Sequence, residues 1–343
     1  MPVIVNPFET GGYTLAHMSR AIQIIPNLYG RLNQLKLFGT DRITQRNVTV
    51  ESAEGELRLL PTRPVGAPTT VGTPDVRKMR SFTVPHVPHN DVVLPEEVQG
   101  IRGFGLTDGE DPLAAVMARK LTKMRARHAQ TLEYMRVKAL TGVTKDGEGN
   151  TIYDWHAEFG IAKKTQDFAL NTANKDVLEA CRAVSRHIED NLMGETMTGV
   201  MALVSPGFFD KLIRHASVKE AYKYQQATNG SNPLRDDLRR GFRFGNILFE
   251  EYAGIVTLAN GQTDHLITPD EGIAFPLGTT DTFRTFFAPG NFIECVGTYG
   301  EELYARQIPR QDGTGIDILT QSNPLPIVKR PALTVRLVSE SAA

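Results

Sequence analysis

The residues of this chain that could hold a metal are few and poorly placed for the task. His86 and His89 lie three positions apart with Asp91 close behind, and no other cluster in the sequence has the spacing of metal ligands. Imidazole and carboxylate groups bind zinc when local structure aims them at one point. Pro85 and Pro88 prevent the helix that would do this. The sequence therefore predicts an ordinary histidine pair rather than a metal site.

Other catalytic and cofactor-binding patterns are missing from the sequence. It has no phosphate-binding loop, no nucleophile elbow and no zinc-protease helix. The glycine-rich stretch 103–109 lacks the spacing of a dinucleotide fingerprint, and the acidic turn 145–150 has Thr151 where a calcium loop requires glycine. Cys181 falls on the apolar stripe of a predicted helix, which indicates a core thiol rather than a nucleophile. We therefore predict no enzymatic activity, no cofactor and no catalytic residue. An enzyme of unrecognised type is an alternative.

The composition is typical of a globular chain and not of a protein that reads nucleic-acid sequence. Its 343 residues are 41% hydrophobic and 22% charged, which is enough for two packed regions. Lys and Arg total 38 against 39 Asp and Glu, so the chain lacks the basic excess with which duplex-binding proteins neutralise phosphates. With two cysteines and no long apolar run, we expect a protein made and used in a cytoplasm, outside any membrane.

The N-terminal part predicts an arm followed by a long projecting loop. Residues 1–47 have short apolar runs broken by proline and glycine, so we expect at most short helices that need not pack on their own domain. Alternating apolar residues from Val48 to Leu59 predict a hairpin, and the proline-rich stretch 61–74 resists both helix and central strand. A second extended run, 76–84, brings the chain back. A projection of about 35 residues with so few apolar side chains needs another surface, such as a neighbouring subunit, to receive it.

The strongest helical pattern in the sequence runs from Asp111 to Thr141. Asp111 can cap this helix, Pro112 suits its first position, and Gly142 supplies the stop. At about 1.5 Å per residue the helix would be a rod of about 45 Å. One face is apolar, and the opposite face carries seven cations against one acid, namely Arg119, Lys120, Lys123, Arg125, Arg127, Arg136 and Lys138 with Glu133. A solvated face, or partners for a neighbour's carboxylates, is one interpretation of these cations.

A second compact region of α+β type is predicted after this helix. A hairpin is expected around residues 145–150, Asn174 can cap a helix that continues to Leu192, and Ser205 can cap another. A buried strand is expected at Val200–Val204, and further strands at 242–252, 255–258, near Leu266, at 283–287 and at 293–297. Alternation of apolar residues from Leu333 to Leu337 predicts an edge strand that returns to the first region.

Two separated stretches of the sequence carry a family resemblance. One is residues 81–105, Ser-Phe-Thr-Val-Pro-His-Val-Pro-His-Asn-Asp-Val-Val-Leu-Pro-Glu-Glu-Val-Gln-Gly-Ile-Arg-Gly-Phe-Gly. The other begins at Tyr304-Ala-Arg-Gln-Ile-Pro and continues through Asp312-Gly-Thr-Gly to Gln321-Ser-Asn-Pro-Leu-Pro and Arg330-Pro-Ala-Leu-Thr-Val. In this order they resemble the phage major capsid protein E family, the lambda-type shell subunits. Two such motifs in one order are hard to obtain by chance.

The resemblance implies an α+β fold of the Hong Kong 97 type with four parts. These are an N-terminal arm, 1–47; an extended β-hairpin loop, 48–90; a peripheral domain with the spine helix, 91–163 and 291–343; and an inserted axial domain, 164–290. The loop of this fold overlaps an adjacent subunit. The apolar residues implied to make that contact are Val50, Leu57, Leu59, Val76 and Phe82.

The resemblance also implies a function and partners. The chain would be the major capsid protein of a tailed double-stranded DNA phage, assembled in the host cytoplasm into the hexamers and pentamers of an icosahedral virion shell. Its partners would be other copies of itself, a scaffolding protein with its protease, a portal, a decoration protein and packaged DNA bound without sequence specificity. In such shells the spine helix lines the interior, so Arg119, Lys123 and Arg127 could face DNA.

Two further expectations depend on the same resemblance. The loop tip, residues 61–74, has no lysine, so the covalent cross-linking of some relatives is disfavoured and a decoration protein is the expected reinforcement. An encapsulin-like compartment shares the fold and is the alternative function. A cargo-enzyme gene beside this one, in place of portal and terminase genes, would indicate the compartment.

Overall fold

A computed structural model describes residues 15–24, 30–53, 77–99, 112–172, 174–221, 239 and 241–340. It has two compact units that each contain separated stretches of the chain. The first unit takes its described residues from 1–48, 82–133 and 285–326, and the second unit from 49–81, 134–284 and 327–343. Both units mix helices and strands, which confirms the predicted α+β class.

The first unit is built on a three-stranded antiparallel sheet with β16 in the centre. Its strands are β4 (Val87–Val93), β15 (Tyr304–Pro309) and β16 (Ile316–Ser322). Helix α1 (Leu15–Ile24) packs on β15, where Ser19 Oγ accepts from the Ala305 N–H at 3.1 Å. Met18 and Ile22 of α1 are buried in this core. This part of the predicted arm therefore packs on its own subunit, because α1 has an apolar face that covers the sheet.

The predicted long helix is confirmed as α4 (Pro112–Leu140), which at about 1.5 Å per residue is about 44 Å long. In the first unit Val116, Met117 and Met124 are buried in the core with α1 and the sheet. The helix stops at Gly142, whose φ of 96° favours glycine. A side chain there would also collide with the His156 ring, 2.5 Å from the position of a Cβ.

Two antiparallel pairs of strands flank α4 in the sequence. β2 (Asn47–Ala53) pairs with β3 (Arg77–Thr83), so the chain goes out and comes back as predicted, while the predicted turn and loop tip at 54–76 lie outside the described residues. β5 (Val143–Lys145) and β6 (Thr151–Asp154) form the predicted hairpin around the acidic turn. Within that turn the Asp146 carboxylate accepts backbone N–H groups of Glu148 and Asn150, an ordinary turn arrangement.

The second unit contains a six-stranded mixed sheet in the order β7, β18, β13, β8, β10, β9. These strands are β7 (Lys164–Asp167), β8 (Gly199–Val204), β9 (Phe242–Phe244), β10 (Ile247–Glu251), β13 (Glu271–Leu277) and β18 (Val335–Val338). Helices α6 (Val177–Asp190) and α7 (Pro206–Arg214) supply apolar faces to the same core. Ser205 caps α7 as predicted, with Pro206 at its first turn.

The remaining described elements are short. They include α2 (Arg31–Leu35), α3 (Pro95–Gln99), α5 (Trp155–Phe159), β1 (Gly39–Arg42), β11 (Ile255–Thr257), β12 (Thr263–His265), β14 (Phe283–Phe287) and β17 (Pro324–Val328). β11 pairs with β12, and β1, β14 and β17 form another sheet. Among the described helices, none combines the length and apolar character needed to cross a bilayer.

Four local predictions are wrong, each because a turn or a tertiary contact decides the outcome. The cap of α6 is Asp176 and not Asn174. The strand expected at 242–252 is a hairpin, since Gly245 and Asn246 both have positive φ and turn the chain between β9 and β10. Residues 293–295 form a 3-10 turn instead of a strand. The last strand, β18, lies inside the second unit's sheet between β7 and β13, so it is neither an edge nor part of the first region.

Candidate interaction surfaces

Three cations of α4 form one exposed stripe. Arg119, Lys123 and Arg127 are spaced by four residues, so they follow one another along a single helix face. All three side chains are exposed. This stripe, which we call the basic stripe, is what remains solvent-accessible of the seven cations that the sequence placed on the polar face.

Lys120 lies beside the stripe but is committed to acids of its own unit. Its Nζ is 2.7 Å from a Glu97 carboxylate oxygen and 3.4 Å from one of Asp91, and its side chain is only 12% exposed. The hydrogen bond from Lys120 lowers the pKa of Glu97. Burial opposes ionisation of Asp91, but the Val92 N–H and Lys120 together hold the pKa of that carboxyl below its usual value. Lys120 therefore fastens α4 to the end of β4 and to α3.

The other cations of the predicted face are buried, which corrects the expectation of one uneven exposed face. Arg125 is 9% exposed and lies 3.5 Å from Glu302, and Arg136 is 6% exposed. The single acid, Glu133, is also buried, and its carboxylate accepts the Leu32 N–H at 2.8 Å. Arg125 and Glu133 have partners from distant parts of the chain, which a helical pattern by itself cannot reveal.

Lys138 belongs to a small network in the second unit. Its Nζ is 2.9 Å from Asp264 Oδ2, and the Tyr134 hydroxyl donates to the same oxygen at 2.8 Å. Burial lowers the pKa of Lys138 and raises that of Tyr134. The two hydrogen bonds offset the burial of Asp264 and keep the pKa of its carboxyl low. The last turns of α4 are thereby tied to β12.

The predicted histidine pair is separated by its hydrogen bonds. His86 Nδ1 lies 2.8 Å from Asn323 Oδ1, whereas His89 Nε2 lies 2.8 Å from Arg127 Nη1 and so accepts from that guanidinium. Within the part of the chain that the structure describes, no group of three or more His, Cys, Asp or Glu side chains is arranged to hold a metal. Arg127 remains exposed, but one of its N–H groups points toward the sheet.

The predicted inter-subunit loop is described only at its base. Val50 is 5% exposed and Phe82 2% exposed, so both are covered by their own chain. Leu57, Leu59 and Val76 lie outside the described residues. Any contact with a neighbour through this segment would therefore depend on the loop beyond β2 and β3 rather than on Val50 or Phe82.

An exposed apolar turn at 292–299 was not found by sequence reasoning. Ile293, Val296 and Tyr299 are 91%, 80% and 67% exposed. A strand was predicted here because apolar residues recur, but Gly297 and Gly300 at the end of the run were the signal that it is a turn. We call residues 292–299 the apolar turn.

Comparison with known proteins gives the family. The model of the family described as "Phage major capsid protein E" matches residues 14–339. The chain belongs to this family. It is 36% identical to the major capsid protein of Pseudomonas phage KPP10, covering 98% of both chains, and 28% identical to that of Salmonella phage Felix O1, covering 95% of this chain and 96% of the relative.

Solved structures of capsid proteins share the fold. A protein assigned as the capsid protein of an E. coli CFT073 prophage matches with a TM-score of 0.54 and 14% identity, over 95% of this chain and 98% of that one. The capsid structure of cyanophage P-SCSP1u matches with a TM-score of 0.50 and 10% identity, over 89% and 87% of the two chains.

The family assignment gives the function in outline. The chain is a major capsid protein of a phage, a component of the virion that assembles with copies of itself into a shell. That role is structural and implies no catalysis. The encapsulin-like alternative is not favoured, because the family model and both relatives are phage capsid proteins.

Proposed function

We propose that this capsid protein builds an icosahedral shell of the Hong Kong 97 type around the double-stranded DNA of a tailed phage, as hexamers and pentamers. The observation that carries the proposal is a 29-residue helix preceded in the chain by a two-stranded ribbon, in a protein of the phage capsid family. The arm would be residues 1–47, the extended loop 48–90, the peripheral domain 91–163 with 291–343 except β18, and the axial domain 164–290 together with β18, which pairs with β7 and β13.

The energetic logic of such a shell is repetition of weak contacts. Each subunit meets several neighbours in a closed ring, so a contact too weak to hold two copies together becomes effective when all are made at once. Weak contacts also let a misplaced subunit leave before the shell closes. The ribbon of β2 and β3 supports this scheme, because a two-stranded ribbon is marginally stable alone and gains from a receiving surface. That surface would be an adjacent subunit, contacted chiefly by Leu57, Leu59 and Val76.

The basic stripe is the proposed inner surface toward DNA. Arg119, Lys123 and Arg127 are exposed, whereas the neighbouring Lys120 and Arg125 are paired with acids of the same unit. Exposed cations can neutralise phosphates without reading base sequence, and such binding weakens as salt rises. A solvated stripe without a partner is the alternative, and charge reversal distinguishes the two.

The remaining proposed partners concern assembly in the host cytoplasm. They are a scaffolding protein with its protease, a portal at one vertex and a decoration protein on the outside. A decoration protein is proposed because the loop tip at 61–74 has no lysine for a covalent cross-link. The test of this partner is mass spectrometry of purified particles, which should show a second small and abundant protein beside the capsid protein.

The test of the assembly proposal is electron microscopy of the expressed protein with and without its scaffolding protein. Closed shells, or sheets and tubes of hexamers, are expected. A protein that stays monomeric at high concentration in the presence of scaffold, with native circular dichroism, contradicts the proposal.

The DNA-facing stripe is tested by reversing its charges. The triple variant R119E/K123E/R127E should assemble but lose genomes from filled particles on mild heating, and its difference from wild type should be largest at low ionic strength, where the charges are least screened. The control is R182E/R186E, which reverses two exposed cations of α6 in the second unit. If the triple variant and wild type retain their genomes equally at every salt concentration, the basic stripe does not bind DNA.

A further inference from the structure

The apolar turn concentrates exposed hydrophobic surface more than any other stretch of the described residues. Ile293, Val296 and Tyr299 lie within seven positions, whereas the other large apolar side chains that are exposed occur singly along the sequence. Single exposed apolar residues are ordinary, but a contiguous group indicates a surface that something covers.

The turn has a fixed shape without any partner. Its backbone closes through the hydrogen bonds from Cys295 N–H to the Phe292 carbonyl and from Val296 N–H to the Ile293 carbonyl, at 2.9 and 3.2 Å. The Cys295 side chain is 3% exposed and anchors the turn in the first unit. Rigidity of this kind lowers the entropic cost of binding, because the three apolar side chains are already presented.

The base of the turn is equally constrained. Gly300 donates its N–H to the Ile43 carbonyl at 2.9 Å, and a Cβ on it would lie 2.0 Å from the Phe287 carbonyl oxygen. Only glycine permits this close approach. The Tyr299 carbonyl accepts from the Tyr304 hydroxyl at 3.4 Å. The exposed side chains therefore stand on a backbone that is held from behind.

The rim of the turn carries one acid and one base. Arg306 lies 3.6 Å from Glu294, and its guanidinium lies 5.6 Å from the centre of the Phe292 ring. The two ionic side chains are 38% and 54% exposed. A surface with an apolar centre and both charges at its rim is complementary to another copy of itself. It lacks the positive excess that DNA would require.

The patch is too small to hold two subunits together by itself, but its size is suitable for a contact that is repeated many times in an assembly. Three side chains of this kind can bury about 400 Å², about half of the roughly 800 Å² per partner in a stable two-protein interface. Such a contact is effective only with others, as in a closed shell. Among the described residues no second stretch offers a matching group of three exposed apolar side chains, and the acid and base at the rim match those of a second copy of the turn.

We propose that the apolar turns of neighbouring capsid proteins pack against one another, with Ile293, Val296 and Tyr299 at the centre of the contact. The proposal rests on the self-assembly proposed above and names one surface by which it occurs. Glu294 and Arg306 of one copy would then meet Arg306 and Glu294 of the next. The occupant of the patch is a second copy of this chain.

The first test replaces the apolar centre by V296S/Y299S and measures assembly by sedimentation and electron microscopy. Both positions are exposed, so the urea midpoint should match wild type. The subunit concentration at which shells form should rise at least about tenfold, because the loss is repeated at every copy of the contact. The matched control is I255S, which removes a side chain that is 63% exposed on β11 of the second unit. Control shells should form at the wild-type concentration.

The outcomes separate the two proposals. If wild-type protein and scaffold give no shells, the assembly proposal fails. If wild type assembles and V296S/Y299S assembles at the same concentration, only the packing of the apolar turns is wrong. An equal loss in I255S would show that any exposed apolar residue has this effect, and would also overturn the specific contact.

A second test locates the partner directly. V296C in assembled shells is treated with a short bis-maleimide, and wild type is the control because Cys181 and Cys295 are both buried. Covalent dimers of the capsid protein, linked through position 296, are expected in V296C alone. A link to a different head protein, or no link in shells of normal appearance, would overturn the proposal.

Discussion

Replacing His128 by glutamine should remove an acid-sensitive contribution to the stability of this capsid protein. His128 is 7% exposed, and its Nε2 lies 2.9 Å from Thr320 Oγ1. The Thr320 hydroxyl donates its hydrogen to the His89 carbonyl at 2.7 Å, so Nε2 is the donor to Thr320. The imidazole is neutral at pH 7 because burial lowers its pKa. A glutamine amide can donate the same hydrogen bond but cannot be protonated.

The size of the effect follows from the pKa of the ring. Burial first, and then the charges of His89 and Arg125, lower the pKa of His128 from 6.5 to about 3. The folded pKa is thus below the unfolded one, so the unfolded chain binds the proton first and stability is lost as pH falls below 6.5, until about pH 3. Each unit of pKa difference corresponds to about 1.4 kcal/mol. Between pH 7 and pH 5 the loss due to this ring is about 2 kcal/mol.

The assay is urea unfolding of the unassembled protein at pH 7 and at pH 5, with circular dichroism as the signal that monitors unfolding. Wild type should lose about 2 kcal/mol more of its unfolding free energy than H128Q over this interval. T320V is the control. It removes the hydroxyl but keeps the titrating ring, so its pH dependence should parallel that of wild type. If wild type and H128Q show the same change from pH 7 to pH 5, the neutral buried imidazole is not the source of acid sensitivity.

Three further experiments, two with substitutions and one with a thiol reagent, test contacts of the second unit. D264N should lower the unfolding free energy by about 2 kcal/mol, because it leaves the Lys138 ammonium, 9% exposed, without its carboxylate; the double variant K138M/D264N should recover part of this loss in urea unfolding. G245V should lower the free energy of unfolding by about 3 kcal/mol, since Gly245 has φ 57° and a Cβ there would lie 2.5 Å from Cys181 Cβ. A melting temperature like that of wild type would contradict this collision. Burial, and then the charge of Asp176, raise the pKa of the Cys181 thiol to about 12. Iodoacetamide should therefore label Cys181 by mass spectrometry only after unfolding, and labelling of the folded protein at pH 8 would contradict its burial.

Local patterns in the sequence were sufficient for the elements whose signals are short in range. α4 begins at Pro112 and ends shortly before Gly142, and its apolar residues recur with the helical period, so both its presence and its length were predictable. The same holds for α7 with its Ser205 cap and for the hairpin of β5 and β6. The function came from a different kind of information, the resemblance of two motifs to a capsid family.

The partners of many charged and apolar side chains are residues that lie far away in the sequence. The sequence does not distinguish among the seven cations on the polar face of α4. In the folded chain Lys120 pairs with Glu97, Arg125 with Glu302 and Lys138 with Asp264, and these three cations are largely buried.

Short-range patterns were enough to predict the long helix and the out-and-back ribbon, and two motifs were enough to predict the family. Long-range contacts determine which cations stay exposed, place β18 between β7 and β13, and leave Ile293 and its neighbours in an apolar turn. The two kinds of feature differ in the distance along the chain over which residues interact. Helical periodicity, caps and turns are set by residues a few positions apart, whereas burial and ion pairing depend on elements that meet only when the chain has folded.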